Sequence, residues 1–527
     1  MPRRPDQFSP RERVLLASLT EAGPGFYALV GVLLAVIAWG IIAYTVQLRY
    51  GLGVTGLRDH FMWGVYITNF VFFIGVSHVG ALMSAILRIT GAEWRRSVTR
   101  MAEAITFASL LMGALMPFVD MGRPDRILNL LLHGRLQSPV LWDILSISTY
   151  LTGSTLFLYV PMIPDIALLR DRFADGPAWR RRLYTLLALG WKGTEVQRHH
   201  LERIMGIMAI IIIPIAISVH TVVSWIFGMT LRAGWNSTVF GPYFVSGALF
   251  SGAAAVVTAM AAFRWAYHLE EYITEAHFRR MGYLVITLGM IYAYFTFAEY
   301  ITPAYKMATA ERGYLTAVFS GQFARLFWFT QVGGVLLPLL LLTVPRISWV
   351  PRLQRVLFLR PVPALATIAT SVAVLLALPA VLPRTAALGG FEVLRQLPVW
   401  IIGALGGWLF LTLLPVFRQR PIAAAVVASL LVNIAAWLKR FVIIVPTLQF
   451  PFLPIQRAPA GWAIYQPTWV ELSITAAAVA GFVLIYLLFS KVFPIVSIWE
   501  TREEGHRPGA ALSPAGGHGG VADAPAP

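Results

Sequence analysis

About twelve stretches of this chain are apolar enough and long enough to cross a bilayer, and that alone confines it to a bundle of membrane helices. A crossing needs roughly 20 apolar residues to cover about 30 Å of hydrocarbon. The best candidates run near 26–48, 61–87, 102–119, 140–164, 204–228, 240–263, 281–303 and 323–344, with four more near 363–382, 397–417, 421–448 and 468–493. Only 13% of the residues are charged, about half the share of a soluble domain. The expected fold class is all-α, a polytopic bundle of about 10–12 transmembrane helices.

The net charge of +17 does not point to nucleic acid, because in a membrane protein the informative quantity is how Lys and Arg divide between the two sides. With twelve crossings, 28 of the 42 basic residues fall on the side of the termini, which places both termini in the cytoplasm. The largest share lies in 165–203, where Arg180, Arg181 and Arg182 precede Lys192 and Arg198. This loop is expected to lie against anionic lipid headgroups. The chain divides into a cytoplasmic segment at 1–25, an eight-helix core at 26–345, four further transmembrane helices at 346–495 and a disordered cytoplasmic tail at 496–527. In the tail Gly, Ala, Pro and His predominate without periodicity from about Thr501.

There is no cysteine, so the chain supplies no thiolate to an iron–sulfur cluster, and any such cluster belongs to a partner. Haem held between paired histidines is not expected either: counted along the helices, His78 lies near mid-depth and His220 nearer the outer surface, so no pair matches. No spacing resembles a metal-ligand motif.

An isolated charge inside a bilayer costs at least ~2.5 kcal/mol, which makes buried ionisable residues functional candidates. Asp120 ends the third helix, Asp143 opens the fourth, and His220 and Glu299 lie near the outer ends of the fifth and seventh. Arg440 interrupts the apolar run that begins at Pro421. These groups are expected to face a common cavity and to compensate one another. A second set descends the second and third helices, from Tyr66, Thr68 and Asn69 through Ser77 and His78 to Glu103 at the inner end. Positions 66, 69, 73, 77 and 80 share one helical face. That face could carry protons, or Asn69 and Ser77 could serve as interhelical packing residues.

The run Asp120-Met-Gly-Arg-Pro-Asp-Arg126, followed by Ser138-Pro-Val-Leu-Trp-Asp143 and Ser148-Thr-Tyr150, resembles the signature of the NrfD/PsrC family of membrane subunits. Val219-His-Thr-Val-Val-Ser-Trp225, Gly234-Trp235, Gly241-Pro-Tyr-Phe244 and Ser251-Gly252 are similar to the family's fifth and sixth helices, and Trp437-Leu-Lys-Arg-Phe-Val-Ile-Ile-Val445 to its penultimate one. The resemblance covers about 60–450. It implies two four-helix bundles and a subunit without metals of its own. Such a subunit binds a quinone, menaquinone or ubiquinone, near the extracytoplasmic side of the first bundle. It exchanges electrons with an extracytoplasmic iron–sulfur subunit, and through it with a molybdopterin-type or multihaem cytochrome subunit, in a bacterial inner membrane. The implied quinone pocket maps to Asp120, Asp143, Ser77 and the outer part of the second helix around Tyr66 and Asn69, with His78 beside it. Two features depart from the alternative complex III relatives: Asp120 stands where histidine is common, and Ile226 replaces an aspartate. The family usually has eight to ten helices, so the pair near 363–382 and 397–417 is surplus.

Quinol oxidation needs a base beside the headgroup hydroxyl. Asp143 is expected to exchange protons with the quinone, Asp120 and His220 to pass them outward, and Arg123 to hold the loop. The competing structural reading pairs Asp120 with Arg123 or Arg126. Glu103, Glu299, Arg264 and Arg440 are relay candidates if quinone chemistry drives proton translocation. The alternative from another class is an ion or solute transporter, which favours broken helices; Pro214 and Pro446 are the places to look.

Overall fold

The computed structural model describes residues 15–16, 18–59, 61–230, 232–343, 417–450 and 464–501. Among these, ten helices are long and apolar enough to span a membrane. We label them α1 (Pro24–Tyr50), α2 (Val65–Ile89), α3 (Thr99–Asp120), α4 (Pro139–Arg172), α5 (Glu195–Gly228), α6 (Phe240–Ala266), α7 (Glu275–Lys306), α8 (Ala324–Thr343), α9 (Pro421–Gln449) and α10 (Trp469–Val492). Each coincides with one of the twelve expected crossings. The other two, near 363–382 and 397–417, lie outside the described residues.

Helix ends follow local chemistry. Proline opens α1, α4 and α9, where its missing N–H costs nothing. Threonine capping boxes open α5, α7 and α10, through Thr194 with Gln197, Thr274 with His277 and Thr468 with Glu471. Gly122, at φ +63°, lets the chain turn sharply just after α3. Inside α8 the residues Phe329–Leu336 form a π-helix.

Successive helices run in opposite directions, which gives the bundle two ends: an N-terminal face, where α1 begins, and a far face, where α1 ends and α2 begins. At the centre stands α2, buried along most of its length and touching α3, α5, α6, α9 and α10. Gly80 lets it approach α3 so closely that a Cβ would overlap the Ala102 carbonyl, the small-residue contact by which helices associate in lipid. Helices α2–α5 form one bundle and α6–α9 a second, joined along α2 and α6. Helix α9 packs on α6, α7 and α8. Helices α1 and α10 pair along the edge of α2 and α3, and α1 leaves Val32, Ile41 and Ile42 exposed as a lipid-facing helix does.

The N-terminal face is closed by a saturated ionic network. Arg100 of α3 pairs with Asp165 of α4 at 2.5 Å, and both are buried. Asp165 also accepts from the backbone N–H groups of Ile498 and Trp499 at 3.2 and 2.9 Å. Glu500 pairs with Arg88 and Arg95 at 3.1 and 3.2 Å. Val496, Ser497, Ile498 and Glu500, expected to lie in a disordered tail, are buried in this network.

Candidate functional site

At the far face, polar side chains from four helices converge. Tyr66 of α2 donates to Gln47 of α1 at 2.6 Å, and Gln47 donates to the Val119 carbonyl of α3 at 2.7 Å. Glu471, in the first turn of α10, is fully buried. Its carboxylate accepts from Tyr465 at 2.6 Å, the Gly56 N–H at 2.7 Å and the Thr468 N–H at 2.9 Å. Burial together with the charge of Glu471 pushes the Tyr465 phenol far above its ordinary range, so it stays a hydrogen-bond donor. Asp120, the last residue of α3, lies close enough to interact electrostatically with Tyr66 and Glu471. Its Oδ1 is buried without a hydrogen-bond partner among the described residues.

Asp143 sits in the second turn of α4, 6% exposed, and among the described residues its Oδ1 also lacks a partner. A buried polar atom left unpaired costs about 1–3 kcal/mol, and such atoms concentrate where a ligand or proton is handled. The competing reading, an ion pair of Asp120 with Arg123 or Arg126, has no counterpart among the described residues. Arg123 instead pairs with Asp125 at 2.8 Å in an exposed turn, where it holds the Asp125 carboxyl below its ordinary range.

The structure corrects the expected depths of the two histidines: the rings of His78 and His220 meet, centroids 4.7 Å apart. Counting residues from helix ends assumes level ends and parallel axes, and α2 and α5 do not satisfy that. Rings this close leave no room for a macrocycle between them. The Nδ1 of His78 donates to the Ile74 carbonyl at 2.5 Å, which leaves Nε2 as a bare acceptor. Among the described residues that Nε2 and both ring nitrogens of His220 are buried without a partner in good hydrogen-bond geometry. Tyr150 of α4 covers the pair, its ring 4.9 Å from His78 and its hydroxyl donating to the Ser77 carbonyl at 3.0 Å. The Ser77 hydroxyl is spent on its own helix, donating to Ile74 at 2.7 Å.

Asn69 is an interhelical bridge. It donates to Thr475 of α10 and accepts from the Trp437 indole of α9, both at 2.8 Å. Thr68 bonds back to the Gly64 carbonyl at 3.0 Å. Glu103 lies at the opposite end of the bundle, buried and accepting from Ser84.

The remaining charges lie in the second bundle, and they do not compensate the acids of the first. Arg440 donates to the Ala436 carbonyl at 3.2 Å and to Ser251 at 3.4 Å, and no ion pair joins it to Asp120, Asp143 or Glu299 among the described residues. Glu299 is buried with Oε2 unpartnered. Arg264 caps a loop at the N-terminal face by donating to the carbonyls of Glu270 and Ile273. Four residues that the sequence reading passed over belong to these clusters. Two carried a signal: Glu471 completes a Thr-x-x-Glu capping box, and Lys439 is a second cation in the same apolar run as Arg440. Gln47 and Tyr465 had none. Among the described residues no group of three or more His, Asp or Glu is placed to hold a metal.

Comparison with known proteins agrees with this architecture. A sequence signature described as polysulphide reductase, NrfD, matches residues 53–377. A Halobacterium salinarum protein described as a membrane subunit of dimethyl sulfoxide reductase is 26% identical over 64% of this chain and 74% of its own length. A selenate reductase subunit of Mesobacillus selenatarsenatis is 26% identical over 58% and 72%. An Hdr-like menaquinol oxidoreductase integral membrane subunit of Archaeoglobus fulgidus is 22% identical over 62% and 72%. With more than half its length matched and, among the described residues, ten apolar helices of which eight form two packed bundles, the chain belongs to the NrfD polysulphide reductase family of multi-pass membrane proteins.

Proposed function

We propose that this chain is the membrane anchor subunit of an oxidoreductase complex. It binds a quinone or quinol near the far face of the α2–α5 bundle and exchanges electrons with an iron–sulfur partner docked on that face. Through that partner it serves a molybdopterin-type or multihaem subunit, and the N-terminal face is cytoplasmic. The observation that carries the reading is the pair of buried carboxylates with unpartnered oxygens, Asp143 and Asp120, in a bundle of this family. The relatives named for menaquinol oxidation and for dimethyl sulfoxide and selenate reduction support the same class of role.

A bound quinol supplies two electrons and two protons. Asp143 is the acceptor for the first proton, because its Oδ1 is desolvated and has no competing donor. Asp120, beside Tyr66 and the saturated Glu471, passes protons toward the far face. The unpartnered nitrogens of the His78–His220 pair offer a second acceptor deeper in the bundle.

At the two prolines where a transporter would break its helices, α5 runs on through Pro214 and α9 through Pro446. The test is binding of a menaquinol analogue to the purified protein, read by fluorescence quenching. Saturable binding that Asp143→Asn weakens supports the reading. Binding that the substitution leaves intact moves the site, and no binding at all turns the question to solute transport.

A further inference from the structure

Lys439 of α9 is fully buried in the second bundle, where its Nζ donates to the Tyr300 hydroxyl at 2.7 Å. The ammonium lies over the rings of Tyr300, Phe327 and Tyr243 at 4.6, 5.1 and 5.8 Å. Among the described residues no carboxylate reaches it within ion-pair distance. The carboxylate that acts on it electrostatically is Glu299, on the same helix as Tyr300, whose Oε2 has no hydrogen-bond partner among the described residues. An aromatic cage tolerates an ammonium, but a core that needed only packing would be served better by leucine or methionine.

Polar groups continue from this point along the α6–α9 seam. Arg440 reaches Ser251, and further toward the N-terminal face Asn433 donates to Thr258 at 3.4 Å, with its own Oδ1 buried and unpartnered. Two cavities of about 10 Å³ flank Arg440, each the size that holds one water. Both are lined by Gly247, Tyr292 and Arg440; the second also touches Lys439 and, on the π-helix of α8, Thr330 and Gly334. Irregular turns of this kind recur at functional sites. In the other direction Arg440 acts electrostatically on His220, so the seam adjoins the histidine pair of the first bundle.

We propose that Lys439 is a proton-exchanging site of the second bundle, which takes protons along the α6–α9 seam and passes them to Glu299. The inference rests on the quinone reading above, which supplies the driving chemistry. In the step itself one proton leaves the Lys439 ammonium, through the Tyr300 hydroxyl or a water, for the Glu299 carboxylate. A neutral amine and a neutral acid result. A proton entering from the N-terminal face along the seam is relayed by water in the cavity beside Arg440 to the amine, the water keeping its own proton count, and Glu299 discharges at the far end of α7. One proton crosses and no electron moves.

The test uses the intact complex, purified through this chain and reconstituted into liposomes, with menadiol as donor, ferricyanide as acceptor and a trapped pH dye. In Lys439→Met the protons moved per electron pair should fall by at least half, while the electron-transfer rate with protonophore stays within about twofold. An unchanged proton ratio overturns the proposal. Wild-type complex that oxidises no menadiol instead overturns the quinone reading, so the two failures are told apart. Should Lys439→Met fail to assemble, Glu299→Gln leaves the lysine cage intact and is read by the same two criteria.

Discussion

The first bundle carries buried charge at both ends, and the two ends are built differently. At the N-terminal face every carboxylate of the network is matched: Asp165 has Arg100 and two backbone donors, and Glu500 has two arginines. At the far face Glu471 is equally well supplied, yet Asp120 beside it and Asp143 nearby each keep one oxygen bare. Saturated charge holds a fold together, and unsaturated charge is left where something else is to bind or a proton is to land.

The largest effect should come from breaking the saturated end. Arg100→Met leaves Asp165 buried without its cation and should cost about 3–5 kcal/mol, seen as a loss of thermal stability in detergent; quinone binding by the surviving folded fraction should be unchanged. Next, Asp143→Asn should lower quinol oxidation by roughly 10²–10⁴, the usual worth of a positioned base, with no fall in melting temperature. A melting temperature that fell with the activity would make Asp143 structural. Glu471 and Asp120 sharpen the contrast within one cluster. Glu471→Gln should cost about 1.5–3 kcal/mol as its charge-assisted bonds weaken, whereas Asp120→Asn should leave stability nearly unchanged and slow proton release. The smallest effect belongs to Arg123→Ala, which removes only an exposed pair. That pair contributes above the unfolded pKa of Asp125 and is lost as pH falls through its lowered folded value. Because the pair is exposed, Arg123→Ala should leave the melting temperature nearly unmoved even at pH 7, where the pair is fully formed, and a clear drop would show that Arg123 fixes the loop.

Helix number and rough limits were legible because a membrane span is set by one quantity, the length of an apolar run, and α1 to α10 each announce it. Depth was legible for Asp120 and Asp143, which stand at helix ends. Direction around the helix axis was not. Nothing in the sequence says that His78 turns toward His220, or that Arg440 faces Ser251 rather than an acid. The residues of the helical face through 66, 69 and 77 have separate partners: Tyr66 meets Gln47, Asn69 bridges α9 and α10, and Ser77 bonds to its own helix. Periodicity gives a face, and only packing says what that face meets. Lys439 shows a different failure. It stands beside Arg440 in an apolar run, and the cost of burying a charge there marks the lysine as plainly as the arginine.

The place of α9 has a consequence for how the protein is made. Its two cations find their partners on α6 and α7, helices that leave the ribosome more than a hundred residues earlier. Until α9 arrives, the slot between α6, α7 and α8 must stand open to lipid or be filled by something else, with Tyr300 and Ser251 waiting in it. The pairing of α1 with α10 repeats the situation at the scale of the whole chain. Biogenesis therefore ends with two late insertions into a half-built bundle, and a nascent chain stalled before α9 should be the form that membrane quality control recognises.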